Sequence, residues 1–73
     1  MDNTFSERVA RRVRSVMDAA GMSQNELADR SGIARVTLRR RLDGHSAFTL
    51  NESERIAAAL GTSLDELLLG AVA

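Results

Sequence analysis

Four helix-start signals constrain the fold of this chain more than any other feature of its sequence. In each of them a Thr or Ser is followed three residues later by Glu, the capping-box pattern that bonds free N–H groups at the beginning of a helix. The four pairs are Thr4–Glu7, Ser23–Glu26, Thr49–Glu52 and Ser63–Glu66. The chain also has no proline that would interrupt a helix. These signals predict an all-α fold.

The ends of the helices are predicted from glycines and from the spacing of apolar residues. Glycine can end a helix in the left-handed conformation without strain, and four glycines stand at expected ends. They are Gly21, Gly32, Gly44 and Gly61. Ala34, at the start of the third helix, supplies no side-chain cap. We expect five helices, at about 5–20, 24–31, 35–42, 50–60 and 64–69.

The first predicted helix is amphipathic. Its apolar side chains recur at helical spacing and are expected to pack into the core. They are Phe5, Val9, Val13, Val16, Met17 and Ala20. Arg8, Arg11 and Arg12 lie between them, and we expect these arginines to be solvated. Phe48, after the third helix, is expected to fill the core beneath a short loop.

The third predicted helix carries an apolar pair on one side and polar residues on the other. Leu38 and Leu42 are four residues apart and share the side that faces the core. At about 100° per residue, Val36, Arg40 and Thr37 lie about 160°, 200° and 260° around the helix axis from the first leucine and point away from the core. A helix of this size and charge fits the major groove of duplex DNA.

Charge is distributed unevenly along the chain, although the net charge is zero. Residues 1–42 contain nine Arg and five acidic residues, whereas residues 43–73 contain one Arg and five acidic residues. Arg35 and Arg39 occupy one flank of the third helix and add positive charge there. Because charges act within a Debye length of roughly 8–10 Å, a local positive patch can attract phosphates even when the net charge is zero.

Several functional classes find no support in the sequence. There is no Cys and only one His, so we expect neither a disulfide nor a metal site. We expect no cofactor, no small-molecule ligand and no catalytic residues, because a single domain over residues 1–73 has little room for a cleft. No apolar run approaches the ~20 residues of a membrane span, and no signal peptide is evident, so we expect a cytoplasmic protein.

A set of short motifs has a joint spacing that is more specific than any one of them. The motifs are Ser23-Gln24, Leu27-Ala28, Gly32-Ile33, Leu38, Gly44, Phe48-Thr49-Leu50, Ile56-Ala57, Leu60-Gly61 and Leu64-Asp65-Glu66-Leu67. In this spacing, roughly residues 9–68 resemble the phage-repressor family of helix-turn-helix domains (Cro-like, XRE-type). The resemblance implies a five-helix, lambda-repressor-like bundle whose third helix enters the major groove, usually as a dimer on a near-palindromic site.

The residues and the resemblance together predict a set of contacts with DNA. Arg40 is the best candidate for paired hydrogen bonds to guanine, and Arg35 is the second. Val36 and Thr37 can touch a thymine methyl group. Gln24, which opens the second helix, is counted with the base-contacting residues. The resemblance implies that this position contacts the DNA backbone or supports the first base-contacting residue. Phosphate contacts are expected from Ser23, Arg39, Gly44, His45 and Ser46. The alternative for the histidine is an exposed loop residue with no role.

Two residues depart from the family pattern. Arg41 stands where the family often has an apolar residue. We expect it to pair with an acid such as Glu52, and a contact with DNA is the alternative. Asp43 stands where Asn is frequent in the family. Because phosphates repel a carboxylate, we expect Asp43 to cap the helix or form the turn instead of binding DNA.

The end of the chain is too apolar for one short helix to bury. Exposed apolar side chains in a cluster suggest an interface, and the resemblance implies dimerisation through the fifth helix. The residues expected in that interface are Leu64, Leu68, Leu69 and Val72. A frayed tail and a chain cut before a second domain are the alternatives.

The sequence therefore predicts a transcription regulator that binds double-stranded DNA at specific sequences as a homodimer. With no effector domain in view, we expect it to act by occlusion as a repressor, for example a phage immunity repressor or its DNA-binding domain. The alternative is a protein-interaction module, such as an antitoxin or anti-repressor component, that uses its apolar C-terminal surface. An enzyme is not expected.

Overall fold

Five α-helices make up the fold. The computed structural model describes residues 4–72, and within this range no residue lies in a strand. The helices are α1 (Phe5–Ala20), α2 (Gln24–Ser31), α3 (Arg35–Leu42), α4 (Leu50–Ala59) and α5 (Leu64–Val72). The predicted all-α, five-helix architecture is confirmed, as are the predicted limits of α1, α2 and α3. The prediction of one domain over residues 1–73 includes both chain ends, which lie outside the described range.

The fifth helix is longer than the sequence predicts. We expected it to end at Leu69, but it continues to Val72. Its last turn is held by α1, because Ala71 is buried and its carbonyl accepts a hydrogen bond from Arg8 Nε at 3.0 Å. The last carbonyls of a helix have no partner within the helix, so this contact satisfies one of them from outside. α4 ends one residue earlier than predicted, at Ala59.

All four capping signals mark the start of a helix, but only two form the complete reciprocal box. The complete boxes are Thr4–Glu7 and Thr49–Glu52. At the start of α2, the hydroxyl of Ser23 accepts the N–H of Glu26, while the carboxylate of Glu26 pairs with Arg30 at 2.9 Å. Ser63 likewise accepts the N–H of Glu66 without the return bond. The hydroxyl half of the signal therefore suffices to begin a helix here.

Each helix contributes one fully buried apolar side chain to a single core. In helix order these side chains are Val13, Leu27, Leu38, Ile56 and Leu67. None of them is more than 1% exposed. Burying a side chain of this size stabilises a fold by roughly 1.5–3 kcal/mol. α3 is therefore held against the core by the same cluster that holds the other four helices.

Three predictions about burial are wrong. Phe5 is 44% exposed, because it lies in the first turn of α1 and lines a surface groove. Ala20 is exposed on the last turn of α1, beyond the residues that pack into the core. Arg8 and Arg12, expected to be solvated, are half-buried against the end of α5. Phe48 is half-buried and packs against the core, which agrees with its prediction.

Candidate nucleic-acid interface

A tight turn sets the angle between α2 and α3. Gly32 ends α2 with a φ of 73°, a left-handed conformation that costs glycine little. The hydroxyl of Ser31 donates to the carbonyl of Ala28 at 3.4 Å and accepts the N–H of Ile33 at 3.3 Å. Ile33 is 6% exposed and anchors the turn in the core. Since each helix also buries a leucine in that core, their relative orientation is fixed.

α3 presents one face to the core and the opposite face to solvent. Leu38 and Leu42 are 1% and 4% exposed, whereas Val36 is 73% exposed. Arg40 is exposed and Thr37 is half-buried. The predicted inward direction of the two leucines and the outward direction of Val36 and Arg40 are therefore confirmed, whereas Thr37, predicted to point outward, is only partly exposed. We name the outward set, Val36, Thr37 and Arg40, the α3 ridge; its contacts with DNA stay a prediction.

Two exposed arginines of α3 have no ionic partner within residues 4–72. Arg39 and Arg40 form none of the ion pairs or side-chain hydrogen bonds that engage the other arginines of the helix. Neither side chain therefore stabilises the fold through an ion pair with another side chain. Both guanidinium groups are available to an anion that approaches α3 from solvent.

Arg35, the first residue of α3, forms a bond across the turn. Its Nη2 atom lies 3.3 Å from Asp29 Oδ1, and both side chains are exposed. Exposed ion pairs contribute only about 0–1 kcal/mol to stability, so Arg35 can exchange this carboxylate for a group on DNA. The role of Asp29 could not be predicted from the sequence, because the pair joins two helices and follows no helical spacing.

Arg41 pairs with Glu52, as predicted, in a partly buried position. Nε donates to one carboxylate oxygen at 2.9 Å and Nη2 donates to the other at 3.2 Å. The two side chains are 20% and 16% exposed. The hydrogen bond from Arg41 lowers the pKa of Glu52; burial opposes this shift, and the N–H of Thr49 adds to it. The charge of Arg41 is thus neutralised within the fold.

The α3–α4 loop, residues 43–49, offers fewer free donors than its sequence implies. The N–H groups of Gly44 and His45 donate to carbonyls in the last turn of α3, at 3.2 Å and 3.0 Å. A phosphate would have to compete with a helix carbonyl for the Gly44 N–H. The hydroxyl of Ser46 accepts a hydrogen bond from Arg41 and keeps its own proton for another acceptor. The His45 side chain is exposed.

Asp43 closes the end of α3, in agreement with its predicted role. It is the C-terminal cap of the helix, and its carboxylate pairs with Arg14 Nη2 of α1 at 2.9 Å. Arg14 Nε also donates to the carbonyl of Leu42 at 3.4 Å. A cation at the C-terminal end of a helix interacts favourably with the helix dipole. Arg14 therefore ties α1 to the end of α3 and neutralises the carboxylate there.

Ser23 and Gln24 lie at the start of α2. The hydroxyl of Ser23 accepts the N–H of Glu26 at 3.1 Å, and Ser23 is exposed. Its hydroxyl proton is therefore free for a second partner. Gln24 is half-buried. Their contacts with DNA stay predictions.

The apolar residues at the chain end form a surface that the core does not cover. Leu69 and Val72 are 67% and 63% exposed, whereas Leu64 and Leu68 are half-buried. We name these four residues the α5 surface. Leu68 also lines a groove of about 170 Å³ together with Phe5, Phe48, Leu50 and three further residues. Leu50 is 75% exposed, and its place beside this surface was not predicted from the sequence.

Neither a cluster of metal-binding side chains nor a membrane-spanning helix occurs within residues 4–72. Within residues 4–72, no group of three or more His, Asp or Glu side chains is placed to hold a metal ion. In that range, too, every helix is too short or too polar to cross a bilayer.

Comparison with protein families agrees with the geometry of α2 and α3. A helix-turn-helix family model matches residues 13–67, more than half of the chain, and this range contains the whole of α2, α3 and α4. The chain therefore belongs to the helix-turn-helix family. It is a DNA-binding transcription regulator of the XRE type. Comparisons with curated proteins and with solved structures gave no match.

Proposed function

We propose that this regulator acts as a repressor by occupying a specific operator in double-stranded DNA through α3. The α3 ridge is the observation that supports the proposal. It joins an exposed valine to an exposed arginine on a helix that two buried leucines hold in place. An exposed apolar side chain beside an available cation matches a groove that offers methyl groups and acceptor atoms.

The side chains of the α3 ridge suit different base edges. Arg40 can form two parallel hydrogen bonds to O6 and N7 of guanine, a contact worth roughly 1–3 kcal/mol of discrimination. Val36 and Thr37 are suited to a thymine methyl group. Arg35, once it leaves Asp29, is a second candidate for guanine. Gln24, at the start of α2, contacts the DNA backbone or supports the first base-contacting residue of α3.

Phosphate contacts supply affinity without sequence preference. The proposed contacts come from Ser23, Arg39, Gly44, His45 and Ser46. Arg39 carries a full charge, and His45 adds one when it is protonated. Because each charged contact releases counterions from DNA, affinity should fall steeply as salt rises.

The α5 surface is proposed to join two copies of the chain on a near-palindromic operator. Leu69 and Val72 are exposed on it without a partner among residues 4–72. An apolar cluster in solvent is unfavourable, and burial against a second copy relieves this cost. A two-fold axis would place two α3 helices in successive major grooves, about 34–36 Å apart. A bacterial or phage operator lies in the cytoplasm, so the proposed repressor acts there.

Repression by occlusion needs no domain beyond the one that binds DNA, and a phage immunity repressor or its DNA-binding domain is the nearest example of such a regulator.

The competing function is a protein-interaction module, such as an antitoxin or anti-repressor component. The groove beside Leu68, with an exposed Leu50, favours that alternative because a different protein could occupy it.

Selection of bound duplexes from random DNA tests the proposal. We expect a near-palindromic consensus whose half-sites are about 10–10.5 base pairs apart from centre to centre. Binding to that consensus should weaken steeply with salt, while binding to unrelated duplexes is weaker at every salt concentration. Recovery of no consensus, together with weak binding even at low salt, would contradict the proposal and favour the interaction module.

A further inference from the structure

We propose that Arg41 and Glu52 act on DNA binding without touching DNA, by positioning the hydroxyl of Ser46 as a donor to a phosphate. Both are then positioning residues, and Ser46 is the residue that touches DNA. The inference rests on the proposed function, because it requires the DNA backbone to lie along the α3–α4 loop.

One guanidinium group holds two acceptors on different parts of the chain. Nε and Nη2 of Arg41 donate to the two carboxylate oxygens of Glu52, and Nη1 donates to the hydroxyl of Ser46. A planar fork with all three nitrogen atoms engaged has a fixed orientation. Only 20% of the Arg41 side chain is exposed. Arg41 is therefore placed to hold the loop from within.

The carboxylate that holds Arg41 is itself held by the start of α4. Glu52 Oε1 accepts the N–H of Thr49 at 2.9 Å, and the hydroxyl of Thr49 accepts the N–H of Glu52 at 3.0 Å. The complete capping box therefore anchors the ion pair to the helix. Ser46 lies between the end of α3 and this box, so the position of its side chain is determined from both sides of the loop.

The bonding of Ser46 leaves its proton pointing away from Arg41. A hydroxyl has one donor and two acceptor sites, and the guanidinium occupies one acceptor site. Within residues 4–72 the hydroxyl proton has no protein acceptor, and the N–H groups of Ser46 and Ala47 form no backbone hydrogen bond. Three donors of one short segment are thus available to an anion. Because Arg41 fixes the hydroxyl of Ser46 before binding, less conformational entropy is lost when a phosphate arrives.

A positioning role has a different salt signature from a direct contact. An arginine that neutralises a phosphate releases counterions, and its removal reduces the slope of log affinity against log salt by about 0.9. A neutral hydroxyl releases none. Loss of the Ser46 contact should therefore lower affinity by a similar factor at every salt concentration.

A charge-neutral pair of substitutions tests the inference. Arg41→Gln with Glu52→Gln removes both charges, leaves the net charge unchanged and keeps an oxygen that can accept the Thr49 N–H. On a duplex selected by the wild type, we expect this variant and Ser46→Ala each to lose roughly ten- to a hundredfold in affinity, the range of one hydrogen bond to a charged group. The triple variant should lose no more than Ser46→Ala alone, and all salt slopes should equal that of the wild type. Arg39→Gln is the control that should reduce the slope.

Binding to duplexes in which one phosphate is replaced by a neutral methylphosphonate provides a second measurement. Unfolding of a variant would not produce a loss that depends on the position of the methylphosphonate. The wild type should lose affinity when the contacted phosphate is neutralised, and both Ser46→Ala and the paired variant should lose less affinity than the wild type does at that same position. Arg41→Lys, which keeps the charge but not the fork, gives a second route if the paired variant does not fold. It should reproduce this smaller loss.

Additive losses in the triple variant, a reduced salt slope, or an unchanged methylphosphonate pattern would overturn the positioning role. The proposed function would survive these results if the wild type still binds its consensus and Arg40→Ala still relaxes base preference. If the wild type selects no consensus at all, the proposed function fails, and this inference fails with it.

Discussion

The side chain of Arg12 lies across the backbone of Gly70 so closely that a Cβ atom on Gly70 would be 2.1 Å from Arg12 Nε. That nitrogen is buried and has no hydrogen-bond partner among residues 4–72. Gly70 lies inside α5, although glycine is a poor helix former. The missing side chain therefore allows a close approach of α1 to α5, and the helix continues through the glycine to Val72.

Gly70→Ala is expected to stabilise the fold less than helix propensity alone implies. Alanine in a helix interior is favoured over glycine by about 1 kcal/mol, but the new methyl group must displace the Arg12 guanidinium. In an Arg12→Ala background this obstacle is gone and the full gain should appear. Urea unfolding of the four proteins measures the coupling. An equal effect of Gly70→Ala in both backgrounds would show that the contact is absent in solution.

Leu38→Ala is expected to destabilise the fold by about 2–5 kcal/mol, because it leaves a cavity in the core. Val36→Ala is the matched control on the same helix, and it should change stability by at most about 0.5 kcal/mol because Val36 is exposed. Thermal and urea unfolding followed by circular dichroism measure both. Comparable losses from the two substitutions would contradict the orientation of α3.

Stability should depend on pH through Glu52. The hydrogen bond from Arg41 holds the pKa of Glu52 below its ordinary value of 4.5 in the folded protein. A carboxyl group with a depressed folded pKa adds stability above its unfolded pKa, and this stability is lost as the pH falls through the folded value. The wild type should therefore be more stable than Glu52→Gln at neutral pH, and the difference should shrink once the pH falls below about 4.5.

Unfolding at a series of pH values measures this difference. Glu54→Gln is a suitable control, because Glu54 is an exposed carboxyl on the same helix. We expect the free energy of unfolding of this control to follow the wild type across the series. A gap between the wild type and Glu52→Gln that stays constant down to the lowest pH would contradict the role of the ionised carboxylate.

Substitutions on the α5 surface should separate the proposed dimer without unfolding the chain. Leu69 and Val72 are exposed near the end of α5, so Leu69→Lys with Val72→Lys should be tolerated, and a cation there suits the helix dipole. We expect the wild type to be dimeric in sedimentation equilibrium and this variant to be monomeric. Ala19→Lys, on the exposed last turn of α1, should leave the dimer intact. A monomeric wild type at high concentration would remove the basis for the α5 interface.

The parts of the fold that the sequence predicted are those encoded locally. The limits of α2 and α3 depend on Ser23, on Gly32 and on the spacing of two leucines, and each signal acts within a few residues of the feature it determines. The end of α5 could not be predicted in this way. It depends on Arg8 and Arg12, which lie about sixty residues earlier in the chain and contact α5 at Ala71 and Gly70.

The same distinction between local and long-range contacts applies to the candidate site. The outward direction of Val36 and Arg40 follows from helical geometry alone. The pair between Arg41 and Glu52 was expected from the family resemblance, because the family often has an apolar residue at the position of Arg41. Asp29 was missed because its contact with α3 crosses a turn, and no periodicity relates the two helices. The engagement of the Gly44 N–H was missed because the hydrogen bonds at the end of a helix depend on how the chain leaves it.

The central claim is that the outward face of α3 reads the bases of an operator, and site selection with two arginine variants tests it most directly. Arg40→Ala should select a consensus that has lost its preference at one position of each half-site, normally guanine. Arg39→Ala, one residue away, should select the wild-type consensus with uniformly weaker affinity and a shallower salt dependence. The same consensus from wild type and Arg40→Ala, or equal losses of preference in both variants, would contradict the account.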